Sequence, residues 1–346
     1  MSAIISKSCR KCSLALIFML NQQLASSQDF LDLKTMIKNN GKNLGKEYTI
    51  VVQKEGKNIF LAETDELKFK SPSPIGYASA WFSAALVMTF VDQNKLSLDD
   101  PISKYIPELK RHMKGYITVK NCLTQTTGLD IDASGVIKVT QKNKFLTLDE
   151  EIEYFASKKL IVDNPGEAFS YSSVGLNMLG KVLEIISKKS FDRLAAERLF
   201  RPLSMRTATF YNEDGNAPNP TTGASCSAFD YMNFMQMLAN KGMFNGKRVL
   251  SENAVNTLLT IHFPDIRARF TPDNTRDFQY AMGCWVEGED DQGKGTIFSS
   301  FGPLGSAAWF DVKKKYFGAV IIADAQNYQK TAMIDQVRKL IDESID

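Results

Sequence analysis

The stretch ASAWFSAALVMTFV, residues 78–91, decides the fold that this sequence predicts. It contains no charged side chain, and its apolar residues fall on every side of a helix. A helix that is apolar all round is buried, because none of its faces suits water. We therefore expect a core helix here, with the rest of the chain packed around it.

Strands are predicted towards both ends of the chain. Residues 47–54 are rich in Ile and Val, a turn follows at Glu55-Gly56, and the chain returns over 58–62, which is the pattern of a β-hairpin. Later elements are strands predicted at 279–287, 296–300, 305–311 and 316–323, and an amphipathic helix at 330–343. The simplest assembly is one antiparallel sheet built from both ends of the chain.

The middle of the chain is mainly helical. Helices are predicted at 117–125, 148–157, 173–188, 191–199, 228–240 and 251–259. The predicted fold class is therefore α/β (α+β), an antiparallel sheet flanked by helices with an inserted helical region. Within one domain, residues 28–346, we assign 28–80 and 265–346 to the sheet part and 100–260 to the helical part, with soft boundaries.

The composition excludes several classes of protein. The 346 residues include 42 Lys and Arg against 39 Asp and Glu, a formal charge of +3, and 44% are hydrophobic. A chain this apolar and this weakly charged is not intrinsically disordered, and it lacks the basic excess of a nucleic-acid-binding protein. The two His and five Cys show no spacing typical of zinc sites, so we predict no metal or other cofactor.

The first 27 residues have the layout of a secretory signal peptide. Three basic residues precede an apolar run at 14–20, and the small residues at 25–27 suit cleavage near Ser27. The run is too short to cross a bilayer, and no later segment is long and apolar enough to do so. We expect a secreted or periplasmic protein; the alternative is that these residues form an N-terminal helix of the fold.

Removal of this leader would change the charge and the cysteine count. It would take away all three excess positive charges and two of the five cysteines, leaving Cys122, Cys226 and Cys284. Three cysteines are few, and their number is odd, so we expect no disulfide framework in an exported protein.

Several segments, in order, resemble one enzyme family, the class C β-lactamase-type serine hydrolases. The resemblance covers roughly residues 46–322 and is carried by WFSAALVMTFVDQNKLSLDDPISKYIPEL (81–109), ITVKNCLTQTTGL (117–129), NPGEAFSYSSVGLNMLGKVLEIISKKS (164–190), RPLSMR (201–206) and LANKGMFNGKRVL (238–250). It implies a sheet part and a helical part with an active cleft between them. The family contains β-lactamases, D,D-peptidases, esterases and amide hydrolases, so the resemblance does not define a substrate.

The nucleophile and the base that the resemblance implies are missing. Family members carry Ser-x-x-Lys at the start of the buried helix, where positions i and i+3 share a face and the lysine amine reaches the serine hydroxyl. In the matching segment Tyr77 replaces the serine and Ala80 replaces the lysine. A phenol, with a pKa of about 10, is a weak nucleophile without a base, and alanine accepts no proton.

Two further motifs of the family are altered. The Tyr-x-Asn motif keeps its proton-shuttling tyrosine as Tyr171, but Ser173 replaces the amide. The third motif, often Lys/His-x-Gly, aligns loosely with residues 300–302, which keep the glycine and bring no charge. Tyr171 is thus the retained catalytic position, and Ser173, Ser300 and Gly302 are candidate ligand-binding residues.

Other candidate reactive groups have structural interpretations that we favour. Ser79 and Ser83 lie on the buried helix and are expected to pack in the core. Cys226 has no histidine near it in sequence, so no base is available to activate its thiol. His112 and His262 are expected in surface loops, and neither falls on a catalytic position of the family.

Three functions are open at this point. The one we favour is an exported β-lactamase-fold protein that has lost acyl-transfer chemistry, with a cleft that binds a peptidoglycan-like or small amide or ester ligand. The second is an active serine hydrolase that works through an acyl-enzyme. The third is an interaction protein with a closed cleft. We expect no nucleic-acid partner, and the sequence leaves the oligomeric state open.

Overall fold

The computed structural model of the protein describes residues 30–131, 144–212, 214–301, 306–323 and 329–345. The predicted leader, residues 1–27, and the candidate ligand-binding residue Gly302 lie outside them.

Thirteen strands occur in the described part of the chain. They are β1 (Tyr48–Lys54), β2 (Lys57–Glu63), β3 (Ser73–Pro74), β4 (Ala168–Ser170), β5 (Ser225–Cys226), β6 (Met243–Phe244), β7 (Lys247–Arg248), β8 (Arg267–Phe270), β9 (Gln279–Tyr280), β10 (Trp285–Glu289), β11 (Gly295–Phe301), β12 (Ala307–Asp311) and β13 (Tyr316–Ile322). Seven of them form one antiparallel sheet in the order β2-β1-β13-β12-β11-β10-β9. Strand β1 pairs with β13, with Tyr48 opposite Ile322 and Lys54 opposite Tyr316. The prediction of a sheet made from both ends of the chain is confirmed.

The α-helices lie mainly between β2 and β8. They are α1 (Leu31–Asn40), α2 (Ser79–Val91), α3 (Glu108–Arg111), α4 (Val119–Leu123), α5 (Leu148–Lys158), α6 (Val174–Ser187), α7 (Phe191–Ala195, continued by a π-helical turn, Ala196–Phe200), α8 (Ala228–Ala239), α9 (Glu252–Leu258) and α10 (Gln329–Glu343). Among the residues that the structure describes, no helix has both the length and the apolar character needed to span a membrane. Helix α2, the uncharged stretch, is buried from Ser79 to Phe90 and packs against α6 and α9.

Both faces of the main sheet are covered, because successive side chains of a strand point to opposite faces. In β1, Ile50 and Val52 pack in a core with α1 and α10. Val51, between them, packs in the other core, which contains α2 and α8. The fold is therefore a sheet between two layers of helices, and the predicted α/β class is confirmed.

Side-chain caps fix where four of the helices begin. Thr118, Thr147, Ser227 and Ser251 each accept a hydrogen bond from the backbone N–H three residues further on. Such caps satisfy N–H groups that have no partner inside the helix, which is why hydroxyl residues mark helix starts in a sequence.

The structure differs from the sequence prediction in several places. The single strand expected at 279–287 is divided into β9 and β10, because Gly283 has a positive φ of 78° and the chain reverses around it. The prediction also lacks α1 and the short parallel pair of β4 with β8. That pair joins segments about a hundred residues apart, so no local pattern reveals it.

Candidate functional site

Tyr77, at the nucleophile position, lies in a single 3₁₀ turn, Gly76–Ala78, that leads from β3 into α2. Ser79 holds this turn. Its hydroxyl donates to the Gly76 carbonyl (2.5 Å) and accepts from the N–H of Ala224 (3.0 Å). Since both bonds use the hydroxyl to join backbone segments, Ser79 has a structural role.

The Tyr77 side chain is buried, with 5% of the residue exposed. Its ring packs on that of Tyr171, the retained family tyrosine, with ring centroids 5.0 Å apart and an angle of 37° between the planes. Ser300, on β11, reaches the same turn, because its hydroxyl donates to the Tyr77 carbonyl (3.4 Å). The structure thus brings together three residues that the sequence motifs selected, Tyr77, Tyr171 and Ser300. The rings of the two tyrosines fill the space at the nucleophile position.

Burial also changes the acidity of these phenols. It raises the pKa of Tyr77 and that of Tyr171, and the neighbouring tyrosines add smaller contributions in the same direction at Tyr171. A raised pKa means that the neutral form is favoured, because a buried phenolate loses its hydration. Neither ring is therefore set up to give a phenolate nucleophile at neutral pH.

The two tyrosines belong to a larger group of rings, which we call the aromatic cluster: Tyr77, Phe169, Tyr171, Tyr280 and Trp285. Trp285 lies 4.9 Å from the ring of Tyr171 and 4.9 Å from that of Tyr280, centroid to centroid. Phe169 completes the group at 5.3 Å from Tyr280. Sequence reasoning missed three of these residues; the signal available was the presence of aromatic residues two positions before Tyr171 and within the segment expected to form a strand at 279–287.

One polar pair is enclosed beside the aromatic cluster. The amide of Gln125 lies next to the phenol of Tyr280, yet neither the Gln125 Nε2 nor the Tyr280 hydroxyl meets a partner in hydrogen-bonding geometry among the described residues. The other end of the amide is engaged, because Oε1 accepts from the N–H of Ser172 (3.2 Å). Burial raises the pKa of Tyr280, so this phenol is also neutral.

Ala80, at the base position, is buried, and the chain at Gly283 packs closely against it. A Cβ added to Gly283 would lie 2.8 Å from the Ala80 carbonyl oxygen and 2.6 Å from the Cβ of Ala84. A glycine is therefore required at this point for β9 and β10 to approach α2. The one buried lysine in the described ranges, Lys114, donates to the carbonyls of Ala156 on α5 (2.6 Å) and His112 (3.4 Å).

The other sequence-selected residues do not complete a catalytic group. Ser173 is partly exposed at the start of α6, and its carbonyl accepts from the hydroxyl of Thr221 (3.2 Å). Ser83 donates to the carbonyl of Pro220. Cys226 is fully buried, which raises the pKa of its thiol. The hydrogen bond of His262 lies elsewhere, because its Nε2 contacts the Thr257 carbonyl at 2.9 Å.

No group of three or more His, Cys, Asp or Glu side chains that could hold a metal ion occurs within the part of the chain that the structure describes. As built, the site contains phenols, hydroxyls and one amide, all polar but uncharged. It can donate and accept hydrogen bonds, and among the described residues it offers neither a nucleophile–base pair nor a cation for an oxyanion.

Comparison with known sequences gives a consistent set of relatives. A sequence model of the family described as Beta-lactamase matches residues 67–342. Protein flp of Staphylococcus aureus (strain MW2) is 28% identical over 132 residues, 37% of this chain and 26% of that protein. The uncharacterized protein MT1414 of Mycobacterium tuberculosis is 26% identical over 235 residues, 54% of this chain and 58% of the relative. The chain thus spans about a quarter of the length of flp.

Solved structures share the fold over almost the whole chain. A crystal structure of a putative β-lactamase from Bacteroides dorei superposes with a TM-score of 0.77 at 22% identity, covering 90% of this chain and 99% of that one. EstCE1, a hydrolase with promiscuous acyltransferase activity, superposes with a TM-score of 0.70 at 15% identity, covering 92% and 98%. At these identities the likeness concerns the fold.

Proposed function

The chain belongs to the beta-lactamase family, and from that premise we propose that it is a member that no longer performs acyl transfer and works by binding alone. The observation that carries this proposal is the buried Tyr77 ring, packed on Tyr171 where the family's serine hydroxyl would have to meet a substrate.

The chemical argument concerns the proton of the nucleophile. In nucleophilic catalysis a neighbouring base takes this proton as the bond to the substrate forms. At the Ser-x-x-Lys positions the chain has a phenol whose pKa is raised by burial and a methyl group, so no proton acceptor accompanies the hydroxyl. Loss of one member of such a unit already costs several orders of magnitude in rate, and here both are replaced.

We propose that the ligand is a peptidoglycan-like fragment or a small amide or ester, held non-covalently near Ser173 and Ser300. Hydroxyl groups and buried amides suit such ligands, because they donate to and accept from carbonyl and amide groups without carrying charge. A second candidate function, an interaction protein with a closed cleft, is favoured by one observation: Ser300 is 2% exposed.

Covalent labelling tests the loss of acyl transfer. We expect no labelling by a fluorescent penicillin or a fluorophosphonate, and no turnover of a chromogenic cephalosporin or a nitrophenyl ester, above a heat-denatured control. Labelling that requires the folded protein would overturn the proposal and establish the active serine hydrolase in its place.

A repair experiment tests whether the missing pair is the cause. The variant Tyr77→Ser with Ala80→Lys supplies both groups, and Tyr77→Ser alone is the matched control, because it opens the same space without the amine. We expect ester turnover in the double variant and none in the single one. If both variants fold, as judged by circular dichroism, and both are inactive, the loss extends beyond these two positions.

Ligand binding separates the two non-catalytic functions. A rise in melting temperature with peptidoglycan fragments or small amides supports the binding protein. If the melting temperature is unchanged in the wild-type protein and in Tyr77→Ala, which opens the site, the interaction protein is the better account.

We also propose that the protein is exported, on the strength of residues 1–27. After expression of the full chain in a bacterial host, we expect the protein in the periplasmic or secreted fraction with an N-terminus near Gln28. Recovery in the cytoplasm with Met1 retained would contradict export.

A further inference from the structure

A second site lies beside the aromatic cluster and is separate from the turn that carries Tyr77. It is a cavity of about 120 Å³, open to solvent on one side. Four aromatic side chains line it, namely Phe169, Phe263, Phe278 and Tyr280. A cavity of roughly 150 Å³ lined by apolar groups admits one benzene ring. The cavity here is somewhat smaller, but its open side supplies further room, so it suits a single six-membered ring with the rest of a ligand at the open side.

The buried end of the cavity offers two hydrogen-bond acceptors, the hydroxyl oxygens of two threonines. Thr124 and Thr126 line this end, and their hydroxyl oxygens lie 3.0 Å apart. The Thr124 hydroxyl donates to the carbonyl of Lys120 (2.8 Å), so the proton between the two threonines belongs to Thr126. Each hydroxyl has one proton, and both protons are now used. Thr126 also accepts from the amide of Asn121, which leaves each oxygen one lone pair for a ligand.

Two opposite charges stand at the exposed end. Arg276 and Asp265 both line the cavity and are both exposed. Arg276 pairs with Asp273 three residues earlier in sequence, but with side chains 70% and 66% exposed this is a surface pair of small strength. Its planar guanidinium keeps donors available for a carboxylate.

From these features we propose that the cavity binds a small aromatic amino acid in its zwitterionic form. The ring packs among the four aromatic side chains. The ammonium lies at the open side and faces Asp265, while the edge of the ring, which carries partial positive charge, meets the threonine oxygens at the buried end. The carboxylate binds Arg276. The three substituents of one α-carbon thus diverge towards three different surfaces of the cavity, and a ligand that lacks any of them leaves one surface unused.

This proposal does not depend on whether the protein performs acyl transfer. Tyr77, Ala80, Ser173 and Ser300 do not line the cavity. Binding here and covalent labelling at the family's nucleophile position are measured separately, so the failure of one leaves the other standing.

Titration calorimetry on the full chain tests the ligand chemistry. The probes are D- and L-phenylalanine, phenylalanine amide, which lacks the carboxylate, and 3-phenylpropionate, which lacks the ammonium. We expect at least one phenylalanine enantiomer to bind, and each incomplete analogue to bind at least about ten-fold more weakly, because each loses a charge-assisted hydrogen bond. Equal affinity for the complete and incomplete ligands overturns the proposal, as does the absence of binding by both enantiomers at millimolar concentrations.

Variants locate the site. Arg276→Gln is expected to weaken phenylalanine binding about ten-fold and to leave the binding of phenylalanine amide unchanged. Arg111→Gln is the matched control, because Arg111 is 75% exposed, also pairs with an acid three residues earlier, and lies outside the cavity. If the two variants bind phenylalanine alike, the site is elsewhere and the proposal is wrong.

Discussion

The substitution Tyr77→Ala measures how far the ring at the nucleophile position serves as part of the core. An aromatic side chain of this kind buries at least 150 Å², which at about 25 cal/mol per Å² is worth roughly 4 kcal/mol. We therefore expect Tyr77→Ala to lower the free energy of unfolding by about 4 kcal/mol, within the range for aromatic deletions in cores.

The assay is urea unfolding followed by tryptophan fluorescence, to which Trp285 contributes from within the aromatic cluster. Tyr77→Phe keeps the ring and is expected to stay within about 1 kcal/mol of the wild type. Tyr211→Ala removes an exposed tyrosine and should cost little. A loss below about 1 kcal/mol for Tyr77→Ala would refute the reasoning, because it would mean that the ring only lines an open cleft.

Three further predictions follow from other parts of the molecule. Gly283→Ala should destabilise the protein by about 2 kcal/mol more than Gly215→Ala, as measured by urea unfolding. Both glycines have a positive φ, but only Gly283 leaves no room for a Cβ. Equal losses of stability would show that α2 moves to make room for the added methyl group. The Lys189 ammonium, and after it Arg193, lowers the pKa of Glu197 to about 2, so its stabilisation is present above the unfolded pKa of about 4.3 and lost as the pH falls from there to about 2. Unfolding midpoints of Glu197→Gln should therefore vary less than those of the wild type across this window, and an unchanged pH profile would contradict the assignment. The last prediction concerns a variant in which the two cysteines within residues 1–27 are replaced. An aromatic disulfide reagent should modify no thiol of the folded variant and three thiols after unfolding. The reason is that Cys122, Cys226 and Cys284 are buried, which raises the pKa of each thiol.

Local patterns predicted much of the fold. The lack of charge over residues 78–91 and the alternation over residues 47–54 are both local patterns, so α2 and β1 could be predicted directly from the sequence. A sheet made from both ends of the chain followed from the position of the predicted strands at those ends, but which C-terminal strand pairs with β1 did not. The division at Gly283 was not predictable in this way, because the glycine is set by its distance from α2 and not by its neighbours in sequence.

The site was predictable only as a set of positions. The family motifs singled out Tyr77, Tyr171 and Ser300, and the structure places these three close together. It does not follow from a motif that a ring at position 77 fills the space or that Trp285 lies behind it, because these contacts join segments one to two hundred residues apart. Side chains that replace a lost catalytic group pack according to the shape left behind, which a sequence pattern does not carry.

The pairing of Tyr48 with Ile322 sets an order of events for biogenesis. While the chain is being made, the hairpin of β1 and β2 has one edge without its partner until β13 has emerged, so the sheet closes only after β13 has been synthesised. Contacts of such long range form slowly, because the entropy of closing a long loop is lost before the contacts are gained. A chain cut short before β13 would hold the Ile- and Val-rich edge of β1 permanently open, and we expect it to aggregate or be degraded.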